Sequence, residues 1–138
     1  MKFVRINHIG IASKDLGEAM ARMANLFDQT PTHQELVEDQ KVKTAFYSAG
    51  ESHLEFLEST DPEGPIGKFI SKRGQGIHHI CLEVDNIHEA LAHLKSKGVR
   101  LIDEQPRKGA QDCWVAFIHP SETGGVLMEL SQESEPKK

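Results

Sequence analysis

Four residues of this chain have the types and the placing to hold a divalent metal ion: His8, Glu55, His79 and Glu129. Imidazole nitrogen and carboxylate oxygen together suit zinc, cobalt, nickel, iron or manganese. Four such ligands on an octahedral ion leave two positions open for a substrate. Taken singly, none of the four carries weight. A lone strand histidine is more often structural, and a glutamate between apolar residues usually marks the wet face of a sheet. Recurrence is what lifts them. His8-Ile9-Gly10-Ile11 returns as His79-Ile80-Cys81-Leu82, and Leu54-Glu55-Phe56 returns as Met128-Glu129-Leu130. The histidines are 71 residues apart and the glutamates 74, so two copies of one pattern differ by a small insertion.

Each anchor must sit on a strand. In Gly76–Val84, GIHHICLEV, alternate side chains point to opposite faces. Ile80, Leu82 and Val84 then share a face with His78, and Cys81 and Glu83 share the other with His79. The first strand behaves alike, with Ile9 and Ile11 on one face and His8, Gly10 and Ala12 on the other. His79 is therefore the repeat partner of His8, while His78 falls on the helix-packing side or at the strand edge. His33, His53, His88 and His93 are given surface positions only.

The intervening chain supplies the rest of each copy. Residues 3–12 read as a strand. Asp15 caps a helix on which Leu16, Ala19, Met20, Met23 and Phe27 recur. Strands are expected at 34–38, 42–48 and 53–58. Pro62, Gly64 and Pro65 mark a linker, followed by a short helix from Ile66 to Lys72. A strand at 77–84 restarts the order. Asp85 is placed as the cap of a helix carrying Ile87, Ala90, Leu91 and Leu94, which Gly98 ends. Strands are expected at 99–103, 113–118 and 125–131. The plan is α+β: one domain over 1–138, made of a βαβββ module at 1–59, linker and short helix at 60–75, a second βαβββ module at 76–131 and a disordered tail at 132–138.

Composition narrows the function classes. The 138 residues are 38% hydrophobic and 27% charged, with a net charge of -5, so a general nucleic-acid surface is not expected. No apolar run reaches membrane-spanning length, and MKFVRINHIG lacks a signal-peptide layout. Cys81 and Cys113 are the only cysteines and make no disulfide framework. A cytoplasmic, reduced protein is expected.

The paired modules resemble the vicinal oxygen chelate superfamily, which includes glyoxalase I, extradiol dioxygenases and the methylmalonyl-CoA epimerases. The likeness to the epimerase family covers nearly the whole chain. It rests on NHIGIASKDL, on PIGKFISKRGQGIHHICLEVDNI, and on GAQDCWVAFIHPSETGGVLMEL with its His119-Pro120 turn and Gly124-Gly125 pair. It implies a cupped, mixed sheet around a metal site whose ligands fall on His8, Glu55, His79 and Glu129. Cobalt, zinc, nickel, manganese or magnesium is the implied cofactor. The implied chemistry interconverts the C2 epimers of methylmalonyl-CoA by 1,1-proton transfer, with a metal stabilising the enolate.

Such a reaction needs two acid–base groups. Resemblance makes Glu129 one. Some family members carry the other carboxylate at the position of Thr44, which cannot act as a base unaided; Glu55 is the substitute by pseudo-symmetry, and Glu35, Glu38 and Asp39 lie near in sequence. Lys68, Lys72, Arg73, Arg107 and Lys108 are candidates for the phosphates of an acyl-CoA substrate. A homodimer is expected. The alternatives are a glyoxalase I-type lactoylglutathione lyase and a non-catalytic small-molecule-binding protein of the same superfamily.

Overall fold

The computed structural model describes residues 1–133. Its elements are β1 (Phe3–Ala12), α1 (Leu16–Phe27), β2 (His33–Val37), β3 (Val42–Ala49), β4 (Ser52–Ser59), α2 (Pro65–Arg73), β5 (Gly76–Val84), α3 (Ile87–Ser96), β6 (Arg107–Lys108), β7 (Cys113–Ile118) and β8 (Met128–Glu133). The chain divides into two compact units. An N-terminal unit holds His8–His78, and a C-terminal unit holds Met1–Asn7 with the chain from His79 onward. The division cuts β1 between Asn7 and His8.

In the N-terminal unit the strands run β2-β3-β4-β1, with β1 parallel to β4 and the other pairs antiparallel. Leu16, Met20 and Met23 of α1, spaced for one helix face, pack on Ala45, Tyr47, Leu54 and Phe56. In the C-terminal unit the order is the opening of β1, then β5-β8-β7-β6, with β5 parallel to β8. There α3 sets Ile87, Ala90 and Leu91 on Val84, Ala116 and Leu130. Each helix thus covers one face of its strands. The anchor residues occupy the other.

The two helices start alike. Asp15 caps α1 by accepting from the Glu18 N–H at 2.9 Å, and Asn86 caps α3 by accepting from the Glu89 N–H at 3.0 Å. A second acceptor comes from the last strand of each module. Glu58 Oε1 takes the Leu16 N–H and Gln132 Oε1 takes the Ile87 N–H, each at 2.7 Å. Orphan donors at a helix start are satisfied in this way.

Three expectations need correction. The cap of α3 is Asn86, because the Asp85 carboxylate is turned to the Lys2 N–H instead. No strand forms at 99–103. Leu101 makes a single bridge to Ile118, and Asp103 Oδ2 accepts the Phe117 N–H at 2.9 Å, so a side chain takes the place of a ladder bond. The strand that pairs there, β6, lies further on. Finally, β8 continues to Glu133 through its pairing with Cys113, so 132–133 are strand rather than tail; 134–138 of the expected tail lie outside the described residues. Among the described residues no helix is long and apolar enough to cross a membrane.

Candidate metal-binding and active site

The N-terminal unit delivers its pair from β1 and β4. Glu55 stands opposite Gly10, two residues past His8 on the same face. That offset brings His8 Nε2 to 3.3 Å from Glu55 Oε1. The C-terminal unit repeats the construction. Glu129 stands opposite Cys81, two residues past His79, and His79 Nε2 lies 3.1 Å from Glu129 Oε1. All four residues are 3–7% exposed.

The next strand adds the same aromatic to each. Phe46 on β3 faces Glu55, and Phe117 on β7 faces Glu129. Phe117 meets the His79 ring edge-on with centroids 5.6 Å apart, whereas Phe46 meets His53 at 6.1 Å. In the C-terminal unit Glu83 Oε1 accepts from Arg5 Nε at 2.9 Å and Asn7 Nδ2 at 3.1 Å, which fixes the opening of β1 against β5. His78, on the other parity, packs edge-on against Phe69 of α2 at 5.0 Å.

Burying carboxylates is costly unless they are paired, hydrogen-bonded or bound to a metal. The chemistry of the donors fits a divalent ion. Two ligand atoms at right angles, each about 2.1 Å from an ion, are about 3 Å apart, close to the 3.1 and 3.3 Å within the two pairs.

Sequence reasoning placed other residues less well. His53, expected at the surface, is half-buried, stands opposite His8, and has a buried Nδ1. His33 sits on the same face of β2, opposite Phe46. Strand register was the missing signal, because a one-strand pattern does not say which neighbours pair. Thr44 is buried and its hydroxyl donates to the Glu35 carbonyl oxygen at 3.1 Å. Glu38 and Asp39 are exposed in a 3-10 turn, while Glu35 stands beside Thr44. Lys68, Lys72 and Arg73 are exposed on α2. Lys108 pairs with Asp112 at 2.9 Å over Trp114, on the helix-packing side. Arg107 pairs with Asp103 at 3.2 Å and lies over the Phe117 ring, on the Glu129 face.

The chain has relatives among known proteins. The model of the Glyoxalase/Bleomycin resistance protein/Dioxygenase superfamily matches residues 7–117. The chain belongs to that superfamily. Within it, the human mitochondrial methylmalonyl-CoA epimerase is 37% identical over 129 residues, covering 93% of this chain and 73% of that protein. The ethylmalonyl-CoA/methylmalonyl-CoA epimerase of Cereibacter sphaeroides is 35% identical over 130 residues, covering 93% and 97%. A solved structure of a variant Streptomyces coelicolor methylmalonyl-CoA epimerase, in complex with 2-nitronate-propionyl-CoA, superposes with a TM-score of 0.92 at 31% identity and covers 99% of both chains.

Proposed function

We propose that this protein is a metal-dependent epimerase that interconverts the C2 epimers of methylmalonyl-CoA. The single observation that carries the reading is the recurrence of a buried His–Glu pair at one register in both modules. The similarity to methylmalonyl-CoA epimerases names the substrate. His8, Glu55, His79 and Glu129 together are the proposed ligands. A bound divalent ion would supply a Lewis acid for the thioester oxygen and offset the charge of the substrate carboxylate.

The chain's own residues do the rest. Glu129 exchanges a proton with C2 on one face of the substrate, and a second group serves the other face. Phe46 and Phe117, packed beside the carboxylates, keep water from them. Arg107 is the strongest of the five cationic candidates for an acyl-CoA phosphate or carboxylate, because it lies on the Glu129 face. A homodimer in the cytoplasm is part of the same proposal.

The test is deuterium entry at C2 of methylmalonyl-CoA in heavy water, followed by mass spectrometry. Rapid exchange that a chelator abolishes and an added divalent ion restores is the expected result. Loading with cobalt, zinc, nickel, manganese and magnesium in turn identifies the working ion. No exchange by metal-loaded protein overturns the reading. Turnover of the glutathione hemithioacetal of methylglyoxal would then identify a lactoylglutathione lyase.

A further inference from the structure

Epimerisation by proton transfer needs a group on each face of C2, and the proposed function assigns only Glu129. The N-terminal unit carries a second imidazole–carboxylate pair outside its metal pair. His33 Nε2 lies 2.8 Å from Glu35 Oε1. The two are separated by Gln34 on β2, so they share a face. That face is the one that bears Glu55. His33 stands opposite Phe46, and Phe46 opposite Glu55, so the three form a row across adjacent strands. Two strand spacings put the His33 and Glu55 backbones roughly 10 Å apart. The His33 ring leans on Phe46, with centroids 5.6 Å apart.

Access separates this pair from the buried one. The His33 and Glu35 side chains are 41% and 29% exposed, against 9% and 6% for His8 and Glu55. The His33–Glu35 pair is open to a bound molecule. Thr44 stands opposite Glu35, and its hydroxyl ties β2 to β3 through the Glu35 carbonyl. It therefore supports the pair and offers no base. Glu55 pairs with His8 at 3.3 Å, and its side chain is far less exposed than that of His33.

We propose that His33 is the second acid–base group of the reaction and that Glu35 is the positioning residue that orients it. This rests on the proposed function. Glu35 holds Nε2, which leaves Nδ1 to take the C2 proton. As the C2–H bond breaks, its electron pair forms the C1–C2 double bond and the carbonyl pair moves to the thioester oxygen. Protonated Glu129 then gives its proton to C2 on the other face, and the carbonyl re-forms. His33 returns its proton to solvent and Glu129 regains one. The opposite epimer runs the same steps in reverse.

The experiment follows deuterium entry and inversion separately, starting from each pure epimer, with His33→Asn and Glu35→Gln proteins. Metal content and thermal unfolding are measured on each. His33→Asn is expected to keep its metal and fold. It should lose inversion by at least about 100-fold. It should also lose exchange from one epimer while keeping exchange, without inversion, from the epimer whose proton faces Glu129. Glu35→Gln should lower kcat about tenfold or more, with KM little changed. Equal losses from both epimers, or none, overturn the proposal and leave Glu55 as the second group. Should His33→Asn fail to fold, His33→Gln replaces it. Absence of exchange by the unaltered protein from either epimer overturns the proposed function itself.

Discussion

His79 Nε2 and Glu129 Oε1 lie 3.1 Å apart in a setting that leaves both residues at most 5% exposed. Their partners His8 and Glu55 repeat the relation at 3.3 Å. A hydrogen bond and the edge of a coordination shell both have this length, and metal affinity tells them apart. His8→Ala and His79→Ala should each weaken binding of a divalent ion by at least about 10–100-fold, the range seen even for outer-shell changes. Metal analysis after dialysis reads this directly. In the unaltered protein an ion at about 100 times its Kd should stabilise the fold by about 2.7 kcal/mol. An ion that leaves the unfolding temperature unmoved at that excess would show that the pairs are only hydrogen-bonded.

The helix starts give a prediction about stability alone. Glu58 and Gln132 accept from the Leu16 and Ile87 N–H groups with the same geometry. Either one changed to alanine removes an acceptor from a helix start and should cost about 1 kcal/mol. Glu58→Gln should cost much less, since its amide oxygen can accept as that of Gln132 does. Urea denaturation with a constant slope checks the series. A Glu58→Gln protein as weak as Glu58→Ala would mean that charge, not the acceptor, holds α1.

Most of this architecture was legible from spacing. Apolar recurrence located α1 and α3, and alternation located the anchor strands, because both periods follow from backbone geometry. The offset of His8 from His79 carried the repeat and with it the four anchors. What alternation could not give was which strands lie side by side. His53 looked like a surface residue until its pairing with His8 was known, and Glu35 looked no better than Glu38 or Asp39 until it stood beside Thr44. The segment 99–103 carried a strand's apolar residues, but Asp103 takes a backbone N–H that a strand neighbour would have bonded. Caps are equally local: Asp85 and Asn86 are both competent, and the Lys2 N–H decides between them.

Gly67 makes a tight joint in the N-terminal unit. A Cβ there would meet the Pro62 carbonyl oxygen at 2.6 Å and that of Asp61 at 2.7 Å, both backbone atoms that cannot swing aside. Gly67→Ala should gain from helix propensity and lose more from the clash, for a net cost of about 1–3 kcal/mol. Thermal unfolding should register the loss. A Gly67→Ala protein at least as stable as its parent would show that the Asp61–Pro62 turn yields freely.

The two thiols should be quiet in the native state for different reasons. Cys81 has no exposed surface. Burial, and then the charges of Glu133 and Glu83, push the Cys113 thiol up to about 11. The thiolate is the reactive form, so a disulfide reagent at pH 8 should modify neither residue quickly, and both at once after denaturation. The same shift gives stability a pH dependence of definite sign. Below about 9, the ordinary value, the Cys113 thiol is neutral in both states and its contribution is fully present. Between 9 and about 11 the unfolded chain ionises and the native chain does not, so stability falls as pH rises and levels off above that window. Cys113→Ser should flatten this part of the curve. Rapid native labelling of Cys113 at pH 8, or an unchanged curve in Cys113→Ser, would mean that the thiol ionises freely in the folded protein.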